Sequence, residues 1–217
     1  MPVQFPPIEN ATEEGLVAVG GKLDLETLST AYLSGIFPWP IQDVKELTWF
    51  SPDPRGIIEV NDYKVPKSFK KFLAKSPYRA VFNQDFNLVI QNCASVPRTH
   101  ETGTWITDEI VQAYTNLFNH KKAYCVSVYN EQNELVGGLY GVHFGEIISG
   151  ESMFHKEDNA SKFALLKLLE FLEIQNIPFL DTQMTTGVIE SFGGITIPRE
   201  QYLKRLKNLD PNRTTIF

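Results

Sequence analysis

The chain has 217 residues, of which 42% are hydrophobic and 21% are charged, and its net charge is −6. This balance is that of a globular protein and excludes a disordered chain or a fibrous repeat. No apolar run approaches the roughly 20 residues that span a bilayer, and the N-terminal stretch MPVQFPPIENATEE lacks the basic and apolar regions of a signal peptide. These features predict a cytoplasmic protein that has no membrane partner.

The N-terminal segment predicts one short helix followed by a rigid loop. The helix extends over Leu25–Ser34, because Asp24 can cap its first turn and Gly35 can end it. Two prolines in the following IFPWP sequence cannot lie inside a helix, so they leave Trp39 in a loop.

A dense cluster of turn-forming residues, SPDPRG at 51–56, predicts a break in the chain near residues 52–65. The length of the chain allows a main domain with a smaller companion. We therefore expect a small N-terminal α/β domain over residues 1–60 and a larger domain over residues 61–217.

Charge is distributed unevenly along the chain. Residues 1–62 carry three basic and ten acidic side chains, whereas residues 63–79 carry six basic and no acidic ones. Helical spacing predicts a helix from Pro66 to about Leu73 with lysines along its exposed side. A lysine face is most often solvated surface, but an uninterrupted cationic run also suits an anionic partner. The six cations of this lysine window are Lys64, Lys67, Lys70, Lys71, Lys75 and Arg79.

The larger unit alternates helical and β-rich segments. Apolar residues at helical spacing predict helices over 85–93 and 107–119. Three β-rich runs separated by Asn/Gly turns predict an antiparallel meander over 124–129, 135–142 and 146–153.

The remaining segments complete an α+β fold with a mainly antiparallel sheet. A cap at Asn159 or Ser161 predicts a strong helix that continues to Ile174, and a final buried strand follows over Phe179–Gln183. Cys93 and Cys125 lie in neither CxxC nor histidine-rich spacing, so we expect two buried side chains and no zinc site or disulfide framework.

Seven segments occur in a fixed order along nearly the whole chain. They are GLVAVGGKLDLETLSTAYLSGIFPW at 15–39, WFSPDPRG at 49–56, GTWIT at 103–107, LVGGLYGV at 135–142, GESMFH at 150–155, NASKFALL at 159–166 and SFGGITIPREQYL at 191–203. In this order and spacing they resemble the bacterial leucyl/phenylalanyl-tRNA–protein transferase family. The resemblance implies a C-terminal domain with a GNAT-like acyltransferase fold.

The resemblance also implies the reaction. A leucyl, phenylalanyl or methionyl group passes from aminoacyl-tRNA to the α-amine of a protein that begins with Arg or Lys, which marks that protein for degradation. The aminoacyl ester is already activated, so positioning and proton transfer suffice, and no cofactor or metal is expected.

By the same resemblance, Asp181 and Gln183 form the pair at the reaction centre. Because they are two positions apart, both side chains lie on one face of the predicted strand. A carboxylate there can hold the amine or take its proton, and an amide can orient the amine or polarise the ester. An isolated Asp-x-Gln would more often be a polar surface pair.

The resemblance also implies that Glu151 lines the aminoacyl pocket. A carboxylate in an apolar neighbourhood needs a cation or hydrogen-bond donors, and the α-ammonium of the donor is such a cation. Hydrogen bonding to backbone alone would be the structural alternative. The resemblance implies apolar walls that accept Leu, Phe or Met, although these positions alone would be ordinary core: Leu139, Ile148, Met153 and Leu180.

Trp39 and Trp105 are implied to stack on the terminal adenine of tRNA, although either could be a packing residue. The lysine window would contact tRNA phosphates without reading sequence. The strand at 124–129 departs from the family pattern, because Ser127 stands where a glutamate is usual. This departure leaves acceptor selection open.

Three alternatives differ in what they require. An acyl-CoA N-acyltransferase would need a glycine-rich loop before the main helix, but residues 155–161 (HKEDNAS) contain no glycine. A peptidoglycan Fem-type transferase also uses aminoacyl-tRNA, but fits the GGKLDLETL and GESMFH segments poorly. A non-catalytic tRNA-binding module would explain the lysines and tryptophans, but would not need Asp181 and Gln183.

Overall fold

The computed structural model describes residues 4–41, 44–95, 105–214 and 216–217. Within these ranges the chain forms ten strands in two sheets, together with seven α-helices. The α+β class is therefore confirmed. In the same ranges, no helix combines the length and the apolar composition needed to cross a membrane.

The N-terminal part contains the helix α1 (Leu25–Leu33) and a three-stranded antiparallel sheet. The sheet has the order β1-β3-β2 and comprises β1 (Leu16–Val19), β2 (Phe37–Pro38) and β3 (Thr48–Phe50). The helix prediction is confirmed in detail. Asp24 accepts a hydrogen bond from the Thr27 N–H at 2.8 Å, and Gly35 adopts a φ of +76° after the last turn, where a side chain would be strained.

A larger, seven-stranded sheet forms the centre of the molecule. Its strands are β4 (Arg55–Glu59), β5 (Arg79–Phe82), β6 (Ala123–Tyr129), β7 (Leu135–Phe144), β8 (Ile147–His155), β9 (Phe179–Gln183) and β10 (Ile195–Ile197). They lie in the order β10-β4-β9-β8-β7-β6-β5. The predicted meander is confirmed as β6, β7 and β8, and the strand predicted at Phe179–Gln183 is β9.

Among the pairings of the described strands, that of β8 with β9 is parallel and the others are antiparallel. The parallel pairing has one register pair, Ser149 with Asp181. β4, which precedes the predicted domain boundary at residue 60, pairs within the larger sheet. The division of the chain into residues 1–60 and 61–217 stays a prediction.

Helices cover both faces of the larger sheet. They are α2 (Lys67–Leu73), α3 (Phe86–Ser95), α4 (Asp108–Asn119), α5 (Ala160–Ile174), α6 (Gly187–Ser191) and α7 (Arg199–Leu206). One apolar core joins α1, α3, α4 and α7 to one face, and a second joins α2, α5 and α6 to the other. Both cysteines are buried, as predicted.

Two local predictions need correction. Asn159 stands at the N-cap of α5, but it adopts a left-handed φ of 65° and its side chain makes no capping hydrogen bond, while Ser161 lies inside the helix. Asparagine tolerates that conformation better than most residues, which accounts for its place at this turn. β9 is also not the last element, because β10 and α7 follow it.

Candidate active site

A cavity of about 350 Å³ opens where β8 and β9 part. Beyond the Ser149–Asp181 pair the two strands are no longer paired, and residues of both strands line the cavity. Its apolar lining comes from β7, β8, β9, α5 and α6 and comprises Leu139, Met153, Leu165, Leu168, Leu180 and Ile189. Trp39, Trp105, Glu151 and Gln183 also line it, so an apolar space is combined with a few polar groups, as is usual for small-molecule sites.

A compact hydrogen-bonded cluster joins the two strands at this cavity. The Gln183 Nε2 donates to Ser149 Oγ at 2.5 Å and to Glu151 Oε1 at 3.1 Å. The Ser149 hydroxyl donates in turn to Glu151 Oε1 at 3.0 Å. Carboxylate, hydroxyl and amide are therefore held as one unit.

Glu151 is half-buried as a residue, but protein surrounds its carboxylate. Burial raises the pKa of Glu151 to about 7, against the opposing effect of its hydrogen bond with Ser149 and of the nearby Tyr32 hydroxyl. The nearby negative charge of Asp181 raises this pKa further, whereas Arg55 lowers it. Near neutral pH the carboxyl group is thus poised to gain or lose a proton.

Two buried tyrosines cover the far oxygen of Glu151. The Tyr114 hydroxyl donates to Glu151 Oε2 at 3.4 Å and shares a short hydrogen bond with the Tyr32 hydroxyl. Burial raises the pKa of both tyrosines well above the usual value, so both phenols stay neutral.

Asp181 forms a buried ion pair with Arg55. The Arg55 Nε and Nη2 donate to the two carboxylate oxygens of Asp181 at 2.8 and 2.6 Å, and the Tyr202 hydroxyl adds a bond of 2.9 Å. The third nitrogen, Nη1, reaches the Gly35 carbonyl at 3.0 Å. Arg55 is 1% and Asp181 2% exposed, and burial of such charges is tolerated because both are extensively hydrogen-bonded.

The same carboxylate holds the end of β9. Asp181 Oδ1 accepts a hydrogen bond from the Gln183 N–H at 3.0 Å, and Gln183 has a φ of +57°, which is uncommon for a residue with a side chain. Gly56 allows this turn to pack on β4, because a Cβ at that position would lie 2.5 Å from the carbonyl carbon of Met184. Arg55 and Gly56 therefore together shape the turn that aims the Gln183 side chain.

Trp39 and Trp105 are brought together at the cavity. Their rings stack on each other with centroids 5.0 Å apart and an interplanar angle of 21°. They form one stacked pair instead of two separate platforms. Trp105 is buried at 8% exposure, whereas Trp39 is half-buried.

The structure brings together most of the residues proposed for the reaction centre, the aminoacyl pocket and the adenine stack. Leu139, Met153, Leu180, Glu151 and Gln183 all line the cavity. Two do not line it among the described residues. Ile148 is 1% exposed in the core beneath the sheet, and the Asp181 carboxylate is occupied by Arg55, Tyr202 and Gln183.

The departure at Ser127 lies away from this cluster. Ser127 is fully buried, and its hydroxyl donates to the Gln84 carbonyl at 2.5 Å. It is not among the cavity-lining residues described. Ser127 therefore contacts the segment just before α3 and not the described lining of the cavity.

All six cations of the lysine window are exposed. Lys64, Lys67 and Lys70 border a shallow depression that also includes Glu173. The Lys64 N–H donates to the Phe192 carbonyl at 2.8 Å, directly after α6. The lysine window thus adjoins the segment that supplies Ile189 to the cavity.

Several site residues were not found from the sequence. Arg55 stands in the conspicuous SPDPRG cluster, but nothing local shows that its partner lies 126 positions away. Ser149 precedes Glu151 by two residues on a strand, so their shared face was predictable although its meaning was not. Tyr32, Tyr114 and Tyr202 looked like ordinary helix core.

An apolar cavity in a parted α+β sheet, with a carboxylate, an amide and stacked indoles around it, is typical of the active site of an enzyme. Comparison with known proteins agrees with this class. Residues 57–207 match the family model described as leucyl/phenylalanyl-tRNA protein transferase, and residues 21–53 match the model of its N-terminal domain.

Individual relatives match over most of their length. The chain is 42% identical to the leucyl/phenylalanyl-tRNA–protein transferase of Flavobacterium johnsoniae, covering 94% of this chain and 95% of that one. It is 43% identical to the enzyme of the same name from Pseudoalteromonas atlantica, covering 94% and 87%. Among solved structures, L-PGS from Bacillus licheniformis is similar with a TM-score of 0.42 at 13% identity over 71% of this chain and 56% of that one.

The chain belongs to the leucyl/phenylalanyl-tRNA–protein transferase family. It is an aminoacyltransferase that depends on aminoacyl-tRNA.

The raised pKa of Glu151 predicts a pH-dependent difference in stability between the wild type and Glu151→Gln. The folded state holds the Glu151 proton more tightly than the unfolded chain, so this contribution is present below about pH 4.5 and is lost as pH rises through about 7. Urea denaturation gives the free energy of unfolding of each protein. The value for Glu151→Gln minus the value for the wild type should therefore increase from pH 5 to pH 7 and stay constant at higher pH. Because other groups titrate equally in both proteins, a flat difference would contradict the assignment.

Proposed function

We propose that this enzyme transfers Leu, Phe or Met from tRNA to the α-amine of proteins that begin with Arg or Lys, and that it acts in the cytoplasm, marking those proteins for degradation. The apolar lining would hold the donor side chain. Met153 and the leucines around it are flexible, unbranched at Cβ and able to fit side chains of different shape. A β-branched donor would fit such a lining less well.

The polar cluster would hold the donor amine. Glu151 lies on the cavity with one oxygen bonded to Ser149 and Gln183 and the other to Tyr114. An ionised carboxylate there can bind the α-ammonium of the aminoacyl group, and that positive charge would in turn favour the ionised form of Glu151. Glu151 would thus fix the ester carbonyl relative to Gln183.

Gln183 would be the catalytic residue, and Asp181 would act through it. The acceptor α-amine has an ordinary pKa of about 7.7 to 8.0, so a substantial fraction is neutral in the cell. Its nitrogen attacks the ester carbonyl, a C–N bond forms, the C–O bond to the ribose breaks, and the proton lost by the amine balances the one gained by the ribose oxygen. An amide beside the reacting nitrogen can orient it and stabilise the charge that develops.

The tRNA would be held at two places. The stacked indoles offer a π-face for the terminal adenine, with Trp39 the more exposed of the two. The lysine window, beside α6, would meet phosphates of the acceptor stem. These contacts supply affinity, whereas the cavity supplies selectivity for the aminoacyl group.

We also propose that residues 61–217 form a domain with the GNAT-like acyltransferase fold after a small N-terminal domain over residues 1–60, with β4 pairing into the larger sheet. The observations that support this are the antiparallel meander β6–β8, the helix α5 after it, and the parallel pair β8 and β9 that parts at the cavity.

The observation that carries the proposal is the placement of Glu151 and Gln183 on one apolar cavity in a member of this family. We expect Gln183→Ala to lower transfer from leucyl-, phenylalanyl- and methionyl-tRNA by about 100-fold, with tRNA affinity near wild type. Asp181→Asn, which keeps the shape but removes the charge, should also lower transfer.

The assay follows amide formation on peptides that begin with Arg, Lys, Asp or Glu. Gln91→Ala, an exposed position on α3, is the matched control and should transfer normally. Transfer confined to Asp or Glu peptides would overturn the acceptor rule, and full activity of Gln183→Ala would overturn the catalytic assignment.

The tRNA contacts predict a separate defect. Lys67→Glu combined with Lys71→Glu should weaken tRNA binding. The plot of the logarithm of the binding constant against the logarithm of salt concentration should also become less steep, by an amount that corresponds to the loss of at least about two phosphate contacts. Lys204→Glu with Lys207→Glu, an exposed pair at the end of α7, controls for the change in net charge. Equal binding by the two double variants, measured over a salt series, would show that the lysine window does not contact tRNA.

A further inference from the structure

Ser149 occupies the point where the sheet opens. It is the residue of β8 that pairs with Asp181, after which β8 and β9 part. It is 1% exposed, and it precedes Glu151 by two positions on the strand. Its backbone carbonyl is also fixed, because the Tyr124 hydroxyl donates to it at 3.2 Å.

The hydroxyl of Ser149 bridges the two polar residues of the cavity. A hydroxyl has one hydrogen to donate and lone pairs that accept. Its hydrogen goes to Glu151 Oε1 at 3.0 Å, so it meets the Gln183 side chain as an acceptor at 2.5 Å. An acceptor at that position selects the nitrogen end of the Gln183 amide.

Glu151 selects the same end. Its Oε1 lies 3.1 Å from the Gln183 Nε2, and an amide oxygen placed there would face a carboxylate oxygen with no proton between them. Because the amide carries one nitrogen and one oxygen, fixing Nε2 on Ser149 and Glu151 turns the carbonyl oxygen of Gln183 away from both.

We propose that Ser149 is a positioning residue for the transfer reaction: its hydroxyl fixes which end of the Gln183 amide meets the acceptor amine. The inference rests on the proposed roles of Gln183 and Glu151. With Nε2 held by Ser149 and Glu151, the carbonyl oxygen is the end free to accept a hydrogen bond from the attacking N–H. Without the hydroxyl, the amide is held by Glu151 alone and rotates more freely.

The orientation depends on the charge of Glu151, so the other groups that face this carboxylate matter. A protonated Glu151 could donate to an amide oxygen and would permit the reversed orientation. The Ser149 hydrogen bond lowers the pKa of Glu151 and so favours the ionised form that excludes reversal. The further groups around it are Tyr32 of α1, Tyr114 of α4, Tyr124 of β6, Arg55 of β4 and Asp181 of β9.

The test uses three variants. They are Ser149→Ala alone, Ser127→Ala alone, and Ser149→Ala combined with Gln183→Ala. Ser127 is a matched control, since it is equally buried in the same sheet and donates one hydrogen bond, but lies outside the cavity cluster. Single-turnover transfer from phenylalanyl-tRNA to a peptide that begins with Arg is measured at saturating tRNA from pH 6 to pH 9. Urea denaturation monitors folding.

We expect Ser149→Ala to slow transfer about tenfold, which is the effect of one lost hydrogen bond. The acid limb of its pH–rate profile should also move to higher pH. The peptide is common to all variants, so its own titration cancels in this comparison. In the Gln183→Ala background the same change should cost less than about twofold, because Ser149 acts through Gln183. Ser127→Ala should change neither rate nor profile.

Three results would overturn the proposal: wild-type transfer by Ser149→Ala, an equal loss in both backgrounds, or an unchanged pH profile. Each of these keeps the proposed function intact, because wild-type transfer is measured in the same assay. Absence of transfer by the wild type would instead contradict the proposed function.

Discussion

The buried ion pair between Arg55 and Asp181 is the interaction on which the site depends. It joins β4 to β9, and through the Gly35 carbonyl and the Tyr202 hydroxyl it ties in the loop after α1 and the helix α7. Removing two charges from water is costly, and the cost is offset here because every Asp181 oxygen and three Arg55 nitrogens are hydrogen-bonded. Breaking one partner would leave the other charged, buried and unsatisfied, so the pair fixes four elements in one arrangement.

That arrangement allows two strands of the larger sheet to separate while both remain part of the sheet. β8 and β9 pair at Ser149 and Asp181 and then part, and the space between them becomes the cavity. The apolar residues that line it belong to strands and helices already packed in the core. Of its polar residues, Glu151 lies within β8, and Gln183 ends β9, where its N–H donates to the Asp181 carboxylate. Positioning of this kind suits aminoacyl transfer, because the ester brings its own activation and the protein needs chiefly to align an amine with it.

The sequence predicted what is periodic or contiguous. Helices α2, α3 and α4 were found from apolar residues at helical spacing, α1 and α5 from the signals at their ends, and strands β6 to β9 as β-rich runs. The short strands β1, β3, β5 and β10 were missed, since three or four residues carry too little pattern and are held by pairing with distant segments. At the site, the family resemblance led to Asp181, Gln183 and Glu151, whose roles stay predictions. The sequence did not show that Arg55, 126 residues away, bonds the Asp181 carboxylate, because only the folded chain brings the two together.

The central claim, that the Arg55–Asp181 pair holds Gln183 in its working position, is tested most directly by the single-turnover transfer rate of Arg55→Lys at saturating phenylalanyl-tRNA. Lysine keeps the charge but is a point donor without the planar fork that spans both carboxylate oxygens and the Gly35 carbonyl. The account predicts a folded protein that binds tRNA within about twofold of wild type but transfers at least about tenfold more slowly. A folded Arg55→Lys protein that transfers at the wild-type rate would contradict it.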